Sequence, residues 1–231
     1  MDYSSDQNIS QIISSLSHEL RTPLTILSSN LQLLKSNNLD LEATIRAETF
    51  QLCEEALNSV TKFLDGIHFL NLANKQELRK NPTAFNLDEL IQALVAKRNT
   101  AFHQSDRIRI ETTFRDRQIV TDKELLTSIL IHLLDNAYKF SAKEVIVKMN
   151  IENQHLIIEI EDQGVGIPPE EMTLIFMPFY RCENVKMLSG TGLGLSIAQK
   201  AIKCLDGEIE ITSKLKEGTK VKLKILSDDK C

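Results

Sequence analysis

The chain has 231 residues, of which 42% are hydrophobic and 26% charged, a composition typical of a globular protein with one large or two modest domains. Its net charge of −5 argues against nucleic-acid binding, and no apolar run approaches the roughly 20 residues that a membrane span needs. The four cysteines show no metal-ligand spacing, which is typical of reduced thiols. We therefore expect a cytoplasmic protein with no nucleic-acid partner and no membrane contact within this chain.

Two long amphipathic helices are predicted at the start of the chain, separated by a polar break from Lys35 to Asp40. The first carries one helical stripe of apolar residues: Ile9, Ile13, Leu16, Leu20, Leu24, Leu27, Leu31 and Leu34. The second stripe, on a helix that runs to about Ala73, is Ile45, Leu52, Ala56, Val60, Phe63, Ile67 and Leu70. The short break predicts an antiparallel hairpin. Because two helices cannot bury both stripes, we expect a homodimer in which two hairpins form a four-helix bundle.

The hydrophobic period changes after a polar segment that contains Pro82. Alternating apolar and polar residues predict strands around Ile108, Val145, Leu156 and Val221. Helical stretches are predicted between them, near Leu87–His103, Lys123–Phe140 and Leu193–Leu205. This order predicts an α/β two-layer sandwich over residues 87–231, joined by a linker at 75–86 to the helical hairpin at 1–74.

One histidine of the first helix, His18, lies two residues from both Leu16 and Leu20, so it points away from the apolar stripe and towards water. Thr22 is its neighbour one turn on, and Pro23 removes a backbone hydrogen bond, which predicts a bend. An unperturbed imidazole has a neutral, nucleophilic nitrogen at cytoplasmic pH. A lone exposed histidine is more often a plain surface residue, so position alone does not decide its role.

The eight residues around this histidine, Ser17-His18-Glu19-Leu20-Arg21-Thr22-Pro23-Leu24, resemble the H-box of the bacterial sensor histidine kinases. The resemblance implies that His18 is the phosphoacceptor and that Glu19 polarises the imidazole and takes its proton. It also implies that Thr22 orients a hydrolytic water when such a kinase acts as a phosphatase.

Three segments of the second half of the chain suggest a nucleotide pocket. The helix from Lys123 places Asn136, Lys139 and Phe140 on one arc, which offers a hard oxygen ligand, a cation and an aromatic ring. The segment Asp162-Gln163-Gly164-Val165-Gly166 follows a strand, where the carboxylate is suited to the adenine amino group and the glycines permit close approach. The segment Gly190-Thr191-Gly192-Leu193-Gly194 opens a helix, whose amide groups favour phosphate. Each motif alone is weak.

Together with Phe176 to Arg181, these segments resemble the N, G1, F and G2 boxes of the ATPase domains shared by histidine kinases, gyrase-type ATPases and heat-shock chaperones. The resemblance implies that ATP and Mg²⁺ bind, with Asn136 as the metal ligand and Lys139 near the phosphates. It places Arg181 near the γ-phosphate and makes Cys182 to Ser189 the lid over the nucleotide. One departure is His132, where the family usually has a second asparagine; an imidazole is a poorer Mg²⁺ ligand than an amide oxygen.

The sequence therefore predicts an ATP-dependent protein-histidine kinase that autophosphorylates His18 and passes the phosphoryl group to an aspartate of a separate response regulator. One alternative, favoured by His132, is a weakly active or phosphatase-dominant ATP-binding scaffold; another is a serine kinase, which the H-box disfavours. Only Met1 to Asn8 precede the first apolar stripe, too few residues for a ligand-binding or membrane domain. We expect either the cytoplasmic catalytic core of a longer membrane receptor or a protein whose input arrives through a partner.

Overall fold

The computed structural model describes residues 3–35, 43–101, 107–114, 116–188 and 190–226, which fall into two compact units, residues 1–68 and 69–231. The helices are α1 (Tyr3–Lys35), α2 (Ala43–Asn74), α3 (Leu87–Ala101), α4 (Lys123–Phe140) and α5 (Gly194–Cys204). The strands are β1 (Pro82–Asn86), β2 (Ile108–Thr112), β3 (Gln118–Asp122), β4 (Val145–Glu152), β5 (His155–Asp162), β6 (Glu208–Lys214) and β7 (Gly218–Leu226). The predicted break between the first two helices, from residue 36 onward, and the predicted helix end at His103 lie outside the described residues.

The first two helices form the predicted hairpin, and α1 continues through Pro23 without interruption. The apolar residues of the two helices fall into a buried group and an exposed group. Ala56 and Phe63 of α2 are buried, with 5% and 2% of their surface exposed. Other large apolar side chains of the two helices remain open to solvent: Ile13, Leu24, Ile26, Leu31, Leu33, Ile45, Phe50, Leu52, Leu57 and Leu64. One hairpin therefore covers only part of its apolar surface.

The second unit contains a five-stranded sheet in the order β2-β4-β5-β7-β6. Only the β2–β4 pair is parallel; the other neighbours are antiparallel. Alternate residues of β4, β5 and β7, such as Val147, Ile158 and Leu223, point into one core, where apolar residues of α3, α4 and α5 meet them. The result is the predicted α/β two-layer sandwich.

The outer face of this sheet is polar, as the alternation in the last strand predicts. The carboxylate of Glu159 on β5 forms an ion pair with Lys220 of β7 at 2.8 Å and lies 4.0 Å from the ammonium of Lys222 on the same strand. Cross-strand pairs of opposite charge suit a solvated sheet face. None of the described helices combines the length and hydropathy that a membrane crossing requires.

A second, two-stranded sheet pairs β1 with β3 in antiparallel register. Its first strand begins at Pro82, inside the segment predicted as a linker. Asp122, the last residue of β3, caps α4: its Oδ1 accepts from the Leu125 amide at 2.9 Å, and its Oδ2 accepts from the Asn81 amide at 2.7 Å. One buried carboxylate thus fixes where α4 begins and where the chain enters β1.

Candidate functional site

His18 lies on α1 with 77% of its side chain exposed, as predicted. Its Nδ1 is 3.7 Å from Oε1 of Glu19, so the two side chains of these adjacent residues approach each other. The hydroxyl of Thr22 donates to the backbone carbonyl of His18 at 3.4 Å and not to the imidazole ring. The side chain therefore presents an accessible nitrogen beside a carboxylate that can take its proton.

In the second unit, the last turns of α4 lie against the Gly190–Gly194 loop. A side chain at Gly190 would clash with the ammonium of Lys139, and a side chain at Gly194 would contact the ring of His132 at 3.5 Å. The Lys139 ammonium is also 5.0 Å from the centroid of the Phe140 ring. This places a cation at the start of the glycine loop, where a phosphate group would need it.

Asp162 ends β5 beside the carboxyl end of α4. Its Oδ1 accepts from the Gly164 amide at 2.7 Å, and the Phe140 carbonyl accepts from the Val165 amide at 3.1 Å. A Cβ at Gly164 would collide with that same carbonyl, so the turn requires glycine there. Burial raises the pKa of the Asp162 carboxyl above its ordinary value, against the opposing effect of backbone hydrogen bonds from Gly164 and Thr219.

The glycine loop is held from the other side by the segment before Arg181. The Phe179 amide donates to the Gly192 carbonyl at 3.0 Å, and both residues have left-handed backbone conformations, with φ of 67° and 69°. Leu193, which precedes α5, is buried and gives the helix no side-chain cap. The Thr191 hydroxyl accepts from the Leu193 amide at 3.3 Å. The amide groups at the start of α5 are therefore suited to an anion.

Arg181 follows Tyr180 and immediately precedes the segment predicted as a lid, Cys182 to Ser189. Its guanidinium donates to the carbonyl of Val185 at 2.9 Å and to that of Leu188. Cys182 beside it is buried, and burial, together with the charge of Glu171, raises the pKa of its thiol to about 11. Ser189, the end of the predicted lid, lies outside the described residues.

These groups fit a magnesium-bound nucleotide. Asn136, half-buried on α4, offers an amide oxygen of the hard type that Mg²⁺ prefers. Lys139 and the start of α5 suit the phosphates, while Asp162 suits a base with an exocyclic amino group. Gly166 packs against the Lys214 backbone with φ of 66°, so this turn requires glycine at that position.

Comparison with known proteins agrees with this geometry. Residues 8–71 match the family model of the His kinase A (phospho-acceptor) domain, and residues 121–229 match that of the histidine kinase-, DNA gyrase B- and HSP90-like ATPases. The signal transduction histidine-protein kinase ArlS of Staphylococcus aureus strain USA300 is 30% identical over 217 residues, 92% of this chain and 48% of that protein. The chain belongs to the sensor histidine kinases. It spans about half the length of the curated relatives it matches.

Solved structures of sensor histidine kinases share the fold. The histidine kinase AdeS of Acinetobacter baumannii superposes with a TM-score of 0.68 at 25% identity, covering 92% of this chain and 98% of that one. The mycobacterial sensor histidine kinase MprB has a TM-score of 0.53 at 26% identity, covering 64% of this chain and 98% of that one. The predicted family and fold class are confirmed, and the second unit is an ATP-binding domain of this type.

One residue of this histidine kinase core that the sequence did not single out is Glu171. It is only 8% exposed and accepts from the Tyr180 hydroxyl at 2.6 Å. Its neighbour Glu170 is exposed, and nothing in the sequence distinguishes these adjacent acids. Only the tertiary structure shows which of the two is buried.

Proposed function

We propose that this chain transfers the γ-phosphoryl group of ATP to His18 and then to an aspartate of a separate response regulator. The observation that carries the proposal is the exposed His18 imidazole, which faces the carboxylate of Glu19 in a chain that also contains an ATP-binding domain. A phosphorylated imidazole keeps a good leaving group, so the phosphoryl group is readily passed on.

The contact with Glu19 supports different roles for the two nitrogen atoms of the His18 ring. Because Nδ1 is the nitrogen near the carboxylate, we propose that its proton passes to Glu19 while Nε2 attacks the γ-phosphorus. A nitrogen–phosphorus bond forms, the bond from the γ-phosphorus to the bridging oxygen breaks, and ADP leaves with that electron pair. Thr22, one turn on, is proposed to orient a hydrolytic water in a separate reaction, when the kinase acts as a phosphatase of the regulator.

In the ATP-binding domain, Asn136 is proposed to bind Mg²⁺, which offsets phosphate charge. Lys139, Thr191 and the backbone of the Gly190–Gly194 loop are proposed to hold the phosphates. The other residues proposed to contact the nucleotide are Phe140, Asp162, Gly164, Gly166 and Leu193. Of these, Asp162 and the two glycines are proposed to lie at the adenine. Arg181 is proposed to leave the lid carbonyls and offset charge at the γ-phosphate during transfer.

We further propose that two hairpins pair into a homodimeric four-helix bundle. The support is the apolar surface that one hairpin leaves open, in particular Phe50, Leu57 and Leu64 of α2, which are 54%, 58% and 51% exposed and lie seven residues apart. A cytoplasmic location is supported by the free thiols of Cys53, Cys182 and Cys204.

The test is incubation with ATP labelled on the γ-phosphate. We expect label that is acid-labile and base-stable, absent in His18→Ala and retained in the control His68→Ala, which changes another exposed helical histidine. His18→Ala should still bind ATP, whereas Asn136→Asp should lose both binding and labelling. Base-labile label would indicate a serine or threonine product and contradict the proposal. Wild-type protein that binds ATP without labelling would favour the phosphatase-dominant scaffold, to which His132 beside Gly194 points.

A further inference from the structure

Glu171 is a buried carboxylate that collects hydrogen bonds from the residues around Arg181. The Tyr180 hydroxyl donates to its Oε2 at 2.6 Å, and the Glu183 amide donates to the same oxygen at 3.2 Å. Cys182 is buried beside these donors, and the charge of Glu171 contributes to the raised pKa of its thiol. Because the carboxylate is only 8% exposed, water does not readily replace these partners.

Further hydrogen bonds fix the backbone on both sides of this cluster. The Phe179 amide donates to Gly192, and the Asn184 side chain donates to the Gly166 carbonyl at 2.9 Å. The main chain from Phe179 to Asn184 is thus tied at several points, with Arg181 in the middle. The Arg181 guanidinium, in contrast, bonds only to carbonyls later in the lid segment among the hydrogen bonds described.

We propose that Glu171 is a positioning residue for phosphoryl transfer, which holds the backbone of Arg181 so that its guanidinium can swing from the lid carbonyls to the γ-phosphate. The inference rests on the proposed function, because it needs Arg181 to act in the transfer. A charged group contributes to catalysis only when it is held in place before charge develops, and a displacement of about 1 Å can cost about 100-fold in rate.

The first test is kinetic. Glu171→Gln keeps the shape of the side chain but removes the charge and replaces one acceptor with a donor, whereas the control Glu170→Gln makes the same change at an exposed neighbour. We expect Glu171→Gln to lower the autophosphorylation rate at saturating ATP by about tenfold or more. The Kd of a fluorescent ATP analogue should change less than twofold, and the control should match wild type in both.

A second measurement does not depend on catalysis. Trypsin cleaves after Arg181, where the next residue is buried, and after Lys186, where Met187 is 97% exposed. In wild type we expect early cleavage after Lys186 and protection after Arg181. Glu171→Gln should accelerate cleavage after Arg181 by about tenfold, because the hydrogen bonds to the Glu171 carboxylate restrain the chain at that site. The rate of cleavage after Lys186 should not change, because these hydrogen bonds do not restrain that site. Mass spectrometry distinguishes the two cuts.

Epistasis shows whether Glu171 acts through Arg181. In an Arg181→Ala background, Glu171→Gln should lower the residual rate less than twofold. If Glu171→Gln does not fold, Tyr180→Phe carries the same tests, because it removes one donor and keeps the ring. An unchanged rate, unchanged cleavage after Arg181, or an equal loss in the Arg181→Ala background would each overturn the role of Glu171. Absence of label on His18 in wild type would instead overturn the proposed function, and the role of Glu171 with it.

Discussion

The proposed dimer makes a quantitative prediction for Leu57. This side chain is 58% exposed in the single chain, between Phe50 and Leu64 on the same heptad stripe of α2. Complete burial of a leucine is worth about 1.5–3 kcal/mol, so burying the remaining fraction contributes about 0.9–1.7 kcal/mol per copy. A twofold dimer contains two copies, which gives about 1.7–3.5 kcal/mol.

We therefore expect Leu57→Gln to raise the dimer Kd by about 20- to 300-fold, because each 1.4 kcal/mol is tenfold. Glutamine is chosen because it is a good helix former and replaces an apolar end with a polar one. The matched control is Leu226→Gln, which changes a leucine that is 50% exposed at the end of β7.

Sedimentation over a range of protein concentrations measures the Kd, and circular dichroism checks that the helices remain. The control should keep the wild-type Kd. A wild-type protein that is monomeric at micromolar concentration would refute the dimer, and an unchanged Kd in Leu57→Gln would refute the assignment of this apolar face as its interface.

Three further outcomes are expected. The ionised carboxylate of Asp162 is a stronger hydrogen-bond acceptor than the protonated acid, and burial raises the pKa of this group above 3.8. ATP affinity should therefore fall as the pH decreases through that raised pKa; calorimetric titration should show weaker binding and no such dependence in Asp162→Asn. Cys182, with a pKa of about 11 instead of 9.0, should react with iodoacetamide at pH 8 about 100-fold more slowly than an ordinary thiol, as peptide mass spectrometry can measure. His132→Asn should strengthen Mg²⁺-dependent ATP binding, measured as a lower Mg²⁺ concentration at half-saturation; unchanged or weaker binding would contradict the role assigned to that imidazole.

The helices were the most predictable part of the fold, because long stretches with a regular apolar period define them. The predicted Lys123–Phe140 is α4 with the same bounds, and the predicted end at Ala73 is one residue from the end of α2. The strands β1, β3 and β6 were not predicted. β1 contains Pro82 and β3 has no clear alternation, and each is stabilised by pairing with the other. In β6, Ile209 and Ile211 alternate with polar residues, so its sequence does carry the signal of a strand.

The apolar period of the hairpin helices also did not predict which of their apolar residues are buried and which are exposed. The stripe predicted for α1 mixes half-buried Leu20 and Leu27 with the exposed Leu24 and Leu31. Residues three and four apart share one helical face, so period alone cannot say which partner covers each residue. The exposed Leu57 on α2 was outside the predicted stripe for the same reason.

In the candidate nucleotide site, local sequence patterns identify the segments but not the contacts between them. Motifs with glycine or asparagine identified segments, but the contacts that join those segments link residues far apart in sequence: Lys139 with Gly190, and Phe179 with Gly192. Such contacts depend on the sheet and helices that carry each segment, and no spacing rule specifies them. The role of Glu171 is hidden for the same reason: its donors, Tyr180 and Glu183, lie about ten residues later in the sequence. They share this acceptor only after their loop has folded back over Glu171.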